Sequence, residues 1–396
     1  MKREGPLPIK AETWELIQRL VGFDTTSRDS NLGLIEWVRD WLAHQGVRSR
    51  LTYDPDGAKA NLFATIEKGA HPGIVLSGHT DVVPVDGQPW DTDPFAATLK
   101  DGRIYGRGSA DMKSYIACAL ALTPRLLAAD LRSPVHFALS YDEEVGCMGV
   151  RGLLADLDRA GIAPAGCIIG EPTLMQPVVA HKGKRAYRCC FRGREAHSAL
   201  TPEGVNAVEY AARLVVHIRH MAERLRDCER RDHGFDVPFT TLQTGVIRGG
   251  TAGNIVPRDC EVHFEFRYLP GVDPEAIERE IKDYAERVLL PEMRAVDPAT
   301  YISFETSAEI PGLDPTVARA EQERMTALAR ALARSDATSK VAYATEAGLF
   351  QRAGIPSIIC GPGSIGEAHK PNEFITLEQV ALCEAFMDRL LESLAT

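Results

Sequence analysis

The chain has 396 residues, 44% of them hydrophobic and 25% charged, with a formal net charge of −10. That length suffices for two domains and a large core, and the negative balance argues against a nucleic-acid surface. Nine cysteines without a Cys-x-x-Cys pair, Cys189 and Cys190 being adjacent, read as reduced apolar side chains rather than a disulfide framework. The opening Met1-Lys-Arg-Glu-Gly-Pro6 has no apolar run of a signal peptide and no segment has the length of a membrane span. The sequence therefore predicts a cytoplasmic protein without membrane contact.

In chain order, the first predicted element that carries chemistry is an apolar strand, Ile74-Val-Leu76, running into Ser77-Gly-His79-Thr-Asp81-Val-Val-Pro84. In α/β sheets, ligands collect beyond the carboxyl ends of strands. His79 supplies an imidazole, and Asp81 is expected to reach back to the other ring nitrogen and set the tautomer. A buried His bonded to an Asp fits the same residues without a metal. Next, Gly106-Arg-Gly-Ser-Ala-Asp111-Met-Lys113 precedes an apolar, Ala-rich run predicted to be helical over 115–129. Asp111 is then either a helix cap or a ligand. The strand 135–140 runs into Asp142-Glu-Glu144, three acids that repel one another. A solvated turn tolerates that, and so does a site for divalent cations. Cys167-Ile-Ile169 is a further short strand and delivers Gly170-Glu171-Pro172.

From Gly183 the pattern changes. A strand over 186–192 leads to the loop Gly193-Arg-Glu-Ala-His197-Ser-Ala-Leu-Thr-Pro202 and then to an amphipathic helix over 206–228. Strands over 240–247 and 259–268 flank Gly249-Gly-Thr-Ala-Gly-Asn254, and a helix follows over 274–290. Strand, helix, strand, strand, helix is a small α+β unit with an antiparallel sheet. Alternation of strands and helices resumes from about residue 317. There the strand 356–360 leads into Gly361-Pro-Gly-Ser364 and Glu367-Ala-His369-Lys-Pro-Asn372-Glu373, and 378–394 reads as a final amphipathic helix. Four polar clusters lie before residue 175 and the fifth near 369, so one centre requires the chain to leave its first domain and return. The expected division is 1–182, an inserted 183–295, and 296–396. Every cluster carries carboxylate or imidazole and none a thiolate, which suits zinc, cobalt or manganese rather than calcium or an iron–sulfur centre. Five ligands, one of them bridging, match the need of two cations about 3.5 Å apart.

His79-Thr-Asp81, Gly108-Ser-Ala-Asp111-Met-Lys113, Asp142-Glu-Glu144, Gly170-Glu-Pro172 and His369-Lys-Pro-Asn-Glu373 resemble the ordered metal motifs of the dinuclear zinc amidohydrolases. That family includes acetylornithine deacetylase, succinyl-diaminopimelate desuccinylase, aminoacylase and glutamate carboxypeptidase, and the similarity covers nearly the whole chain. The resemblance implies a metallopeptidase-like α/β catalytic domain with a mixed central sheet and an inserted α+β lid that also pairs two subunits as a homodimer. It implies two divalent ions, zinc or cobalt, bridged by Asp111, with His79 and Glu171 on one and Glu144 and His369 on the other. Glu143, expected to point away from these ligands, is the implied general base, with Asp81 behind His79. His197 is implied to reach from one subunit's lid into the other's active site, Asn254 to hold the same carbonyl, and Arg267 to bind a substrate α-carboxylate. The residue types also admit plainer readings: a solvated loop His, an Asn that tolerates a left-handed backbone, and an Arg in a surface ion pair.

Val179-Ala-His-Lys-Gly183, Thr345-Glu346-Ala-Gly348 and Gly361-Pro-Gly-Ser364 are more similar to the acetylornithine deacetylases of the family than to its desuccinylases. This implies hydrolysis of N-acetyl-L-ornithine to L-ornithine and acetate in arginine synthesis. The alternatives are another N-acyl amino acid deacylase, a desuccinylase, a dipeptidase, or a metal-binding relative without catalysis. Arg248 stands where deacetylases of this type often have a His. Glu346 is a candidate for the acid that meets the ornithine ammonium, and equally for a cap of a helix starting at Ala347.

Overall fold

The structure, a computed structural model, describes residues 8–396. The opening residues 1–6, on which the expectation about a signal peptide rests, lie outside it. The chain forms two compact units. The first runs through Ala180 and comprises also Leu313–Lys340 and Thr345–Thr396, and the second is His181–Gly312 with Val341–Ala344. Each unit has its own hydrophobic core.

The first unit is built on an eight-stranded sheet. Its order is Ser49–Tyr53, Ala60–Ile66, Val135–Ser140, Ile74–His79, Gly166–Pro172, Ser357–Gly361, Val178–His181 and Ser339–Val341. The middle four are mutually parallel, while Ala60–Ile66 and Val178–His181 run antiparallel to their neighbours, so the sheet is mixed. All four parallel strands are buried along their whole length. That is why they read in sequence as short apolar runs rather than as alternating patterns. Register aligns their ends: His79 lies opposite Ser140, and Gly361 opposite Pro172. The loops that carry Asp81, Glu143, Glu144 and His369 therefore leave from the carboxyl ends of the parallel strands, where Glu171 is the last residue but one of its own strand.

Two helices that the sequence predicts as one follow Asp111. Ser114–Ala121 is buried on every side, as an Ala-rich helix without a polar face must be. The chain breaks at Leu122, and Pro124 opens a second short helix, Thr123–Ala128, in the first-turn position that proline tolerates. The final helix, Leu377–Leu394, is capped by Thr376, whose hydroxyl accepts from the Gln379 amide at 3.2 Å.

The second unit has an antiparallel sheet in the order Thr241–Gly249, Asp259–Tyr268, Gly183–Arg192, Tyr301–Ile310. Its long helix, Ala207–Cys228, starts at Asn206, whose side chain accepts from the amides of Val208 and Glu209. Pro274–Tyr284 starts at Asp273 in the same way. The return to the first unit comes at Leu313 and not at 296, because Tyr301–Ile310 adds a fourth strand to this sheet by pairing with Gly183–Arg192. That strand is mostly exposed or half-exposed along its length, so it has no apolar alternation to announce it.

Candidate metal centre

His79 ends a buried strand and is itself 1% exposed. Its Nδ1 lies 2.9 Å from the backbone carbonyl of Asp81. A carbonyl only accepts, so Nδ1 carries a proton, and Nε2 faces the acids. Nε2 is 3.0 Å from Asp111 Oδ1 and 3.8 Å from Glu171 Oε1. The expectation that the Asp81 carboxylate sets this tautomer is thus corrected. Its nearer oxygen stands 3.7 Å from Nδ1, and the carboxylate instead accepts from the Glu143 amide at 3.1 Å, the Glu144 amide at 3.3 Å and the Ser27 hydroxyl at 2.7 Å. The backbone of Asp81 orients His79 while its side chain pins the turn that bears the two glutamates.

Asp111 lies in an irregular turn, Ser109–Lys113, after Gly108 at φ +80°, and the Asp111–Met112 peptide is cis. It does not cap the following helix. Its two oxygens face different imidazoles: Oδ1 is 3.0 Å from His79 Nε2, and Oδ2 is 3.4 Å from His369 Nε2. His369 Nε2 is also 3.0 Å from Glu144 Oε1. The donor atoms of His79, Glu143 and Glu171 lie within 4.8 Å of one another, and so do those of His79, Asp111 and Glu144. Glu143 therefore does not point away from the other acids. Its side chain turns into the cluster from a tight turn that Asp81 holds by the amides and that the Glu143 carbonyl closes on the amides of Gly146 and Cys147, and the Cys147 thiol donates to Glu143 Oε1 at 3.4 Å. Asp142, the third acid of the run, faces elsewhere and pairs with Lys59 at 2.6 Å.

The electrostatics follow from packing so many acids into a buried place. Burial raises Glu143 and Glu171 well above the ordinary carboxyl value, and the neighbouring carboxylates add to it. Glu144 is raised by burial and by Asp111. Asp111 is lowered despite its burial, through hydrogen bonds from His369 and His79. Burial works to lower His79, but Asp111, Glu171 and Glu143 outweigh it and raise it well above the usual imidazole value. Hydrogen bonds to Asp111 and Glu144 push His369 up to about 10. A set of carboxylates that raise one another, with imidazoles between them, calls for positive charge. Oxygen and imidazole donors fit borderline divalent cations, and an aspartate with one oxygen toward each of two imidazoles fits a bridge between two of them.

Glu346 is 1% exposed, near Ser140, His79 and Asp81. Burial pushes its carboxyl up to about 7. Its side chain makes no capping hydrogen bond to Ala347–Arg352, which corrects the reading of Glu346 as a side-chain cap. Arg107 and Glu373, an ion pair at 2.6 Å with both side chains 1% exposed, had no assigned role in the sequence. Their only signal is position, each lying a few residues from Asp111 or His369, since partners 266 residues apart leave no local pattern.

In the second unit, His197 is exposed and its Nδ1 accepts from the Ala199 amide at 3.1 Å. The neutral ring therefore carries its proton on Nε2, the form that donates. A two-residue bridge pairs His197 with Ile255, and the Ser198 amide donates to the Asn254 carbonyl at 3.0 Å, so the structure brings His197 and Asn254 together. Arg267 is in an ion pair with Glu265 at 3.1 Å, its plainer reading. Arg248 is exposed and lines a cavity of about 510 Å³ with Glu195, Gly249, Pro257, Arg258 and Tyr301.

Residues 75–393 match the family described as Peptidase family M20/M25/M40. The chain is 36% identical over 381 residues to the acetylornithine deacetylase of Myxococcus xanthus, covering 94% of this chain and 95% of that one. It is 34% identical over 373 residues to the acetylornithine deacetylase of Proteus mirabilis (strain HI4320), covering 93% and 92%. In fold it is similar to the M20 family metallo-carboxypeptidase Sso-CP2 of Sulfolobus solfataricus, with a TM-score of 0.75 at 18% identity over 97% of this chain and 99% of that one. With a family match spanning most of its length, two such relatives and a partly buried cluster of carboxylates around the His79 imidazole, the chain belongs to the M20/M25/M40 peptidase family.

Proposed function

We propose that the protein is a cytoplasmic, metal-dependent amidohydrolase that converts N-acetyl-L-ornithine to L-ornithine and acetate in arginine synthesis. The observation that carries the substrate is the similarity to two acetylornithine deacetylases over more than nine-tenths of every chain compared. The chemistry is supported by the convergence of His79, Asp111, Glu143, Glu144 and Glu171, the two adjacent glutamates half-buried and the rest buried. His79, Asp111 and Glu171 would hold one cation, and Asp111, Glu144 and His369 the other, with zinc or cobalt as the metal. Two divalent cations, when bound, acidify a water and polarise the acyl carbonyl.

Glu143 acts as general base. It takes the proton of the attacking water and returns it to the amine nitrogen as the amide breaks. Burial and the neighbouring carboxylates raise its pKa in the metal-free protein, which favours the first half of that task, uptake of the proton from water. Asp81 keeps the turn of Glu143 and Glu144 in place through their amides. His197, in its donating form, and Asn254 beside it would stabilise the oxyanion, with His197 supplied by the partner of a homodimer paired through the second unit. Arg267 would bind the α-carboxylate, with Glu265 as the partner it exchanges.

The test is amine release from acetylornithine, succinyl-diaminopimelate, acetylmethionine and a set of dipeptides, using chelated protein before and after zinc or cobalt is restored. Turnover that needs the metal and prefers acetylornithine is expected. Preference for another donor would refute the substrate and leave the chemistry, and no turnover of any of them would refute both.

A further inference from the structure

The geometry points to Glu373, Arg107 and Gln88 as a positioning clasp that sets the separation of Asp111 from His369 and so the affinity for the second cation. Glu373 is 1% exposed and its carboxylate accepts from four donors. Oε2 takes Arg107 Nη1 at 2.6 Å and the Gly108 amide at 3.1 Å, and Oε1 takes the Ala110 amide at 2.9 Å and the Asp111 amide at 3.1 Å. The Glu373 carbonyl also accepts from the Gly106 amide at 3.0 Å. One side chain thus grips the whole of the turn that presents Asp111, at both of its oxygens. Only an ionised carboxylate offers acceptors to donors on every side.

The same network reaches the other ligand loop. Arg107, stacked near Trp90 with 5.2 Å between Cζ and the ring centre, donates Nη2 to Gln88 Oε1 at 2.7 Å. Gln88 Nε2 donates to the His369 carbonyl at 3.1 Å. His369 stands at φ +65° and Asn372 at φ +58°, a backbone region that costs a non-glycine residue energy and persists only where the surroundings hold it. Asn372 is held from the same side, its Oδ1 accepting from the Asp91 amide at 2.8 Å. Glu373 follows four residues after His369, so the loop is fixed at His369, Asn372 and Glu373 while its last anchor is the turn of Asp111. The clasp joins two segments far apart in sequence and makes their spacing a property of one buried ion pair.

The inference rests on the two-cation reading above. The ion between Asp111, Glu144 and His369 depends on both clasped loops, whereas the ion of His79 and Glu171 depends on them only through Asp111. The experiment is titration of chelated protein with zinc alone, against a chromophoric competing chelator, for wild type, Glu373→Gln and Gln88→Ala. In Glu373→Gln the amide sets N–H against N–H at one of its two ends. The first ion should bind within about threefold of wild type and the second about tenfold or more weakly, the usual scale for outer partners of a metal site. Gln88→Ala keeps the Arg107–Glu373 pair but removes the acceptor of Arg107 Nη2, so metal-free protein should melt lower than wild type by a few degrees at most, while the second ion weakens by at least about threefold and the first ion stays unchanged. If Glu373→Gln fails to fold, Gln88→Ala decides. Unchanged affinity for both ions, or equal weakening of both in step with a lowered melting temperature, overturns the clasp. Wild type that binds one ion only overturns the clasp and the two-cation reading together, which separates the two failures.

Discussion

Replacing Glu143 by Gln keeps the shape of the side chain and removes the base. Three features of the structure say that the site around it survives. The Glu143 and Glu144 amides stay on Asp81, the donors His79, Asp111 and Glu171 remain, and a neutral amide removes the repulsion from Glu144 and Glu346 that helps raise the Glu143 carboxyl. Loss of a positioned general base costs about 10² to 10⁴ in rate, or about 2.7 to 5.4 kcal/mol of barrier. The variant should therefore carry the same metal content as wild type, with kcat reduced about a hundredfold or more and KM little changed, since the lost interaction forms only as the proton moves. The assay is steady-state deacetylation beside metal analysis of the same preparation. A kcat within about tenfold of wild type at full metal content would refute the assignment, and so would an activity loss that merely follows a loss of metal.

Mixing His197→Ala with Glu143→Ala protein should restore part of the activity on subunit exchange if the histidine serves the partner's site; absence of rescue in demonstrated heterodimers counts against that arrangement. His136, stacked on Phe63 and bonded to Thr65 at 3.0 Å, is lowered by burial to about 4. The unfolded chain then binds more protons between about pH 6.5 and 4, so stability falls as pH falls through that window, by up to about 3 kcal/mol. Denaturant titrations at pH 7 and 4.5 should show His136→Asn losing less on acidification than wild type, and equal losses would reject the burial argument. Gly361→Ala would place a Cβ 2.0 Å from the Gly170 carbonyl oxygen; because that oxygen is backbone, the strand pair must part, and a loss of about 1–3 kcal/mol or more in unfolding free energy is expected. A variant as stable as wild type would show that the two strands separate freely.

Much of the centre was legible because buried parallel strands are short and apolar, and each ends abruptly in the polar residues it delivers. Ile74-Val-Leu76 before His79, Val135–Ser140 before Glu143 and Glu144, and Cys167-Ile-Ile169 before Glu171 are local patterns, as are the capping residues Asn206, Asp273 and Thr376 at their helix starts. Their donor types alone suit borderline divalent cations rather than calcium or an iron–sulfur centre. What the sequence by itself could not decide lies in contacts between distant segments. The direction of Glu143 depends on amides held by Asp81 62 residues earlier. The fate of Glu346 as a buried acid depends on what packs over it, and the return at Leu313 depends on a strand whose partner, Gly183–Arg192, lies more than a hundred residues back. The Arg107–Glu373 pair spans 266 residues. Periodicity reports the neighbours of a residue along the chain, whereas hydrogen bonds and burial depend on neighbours in space, and only folding brings those together.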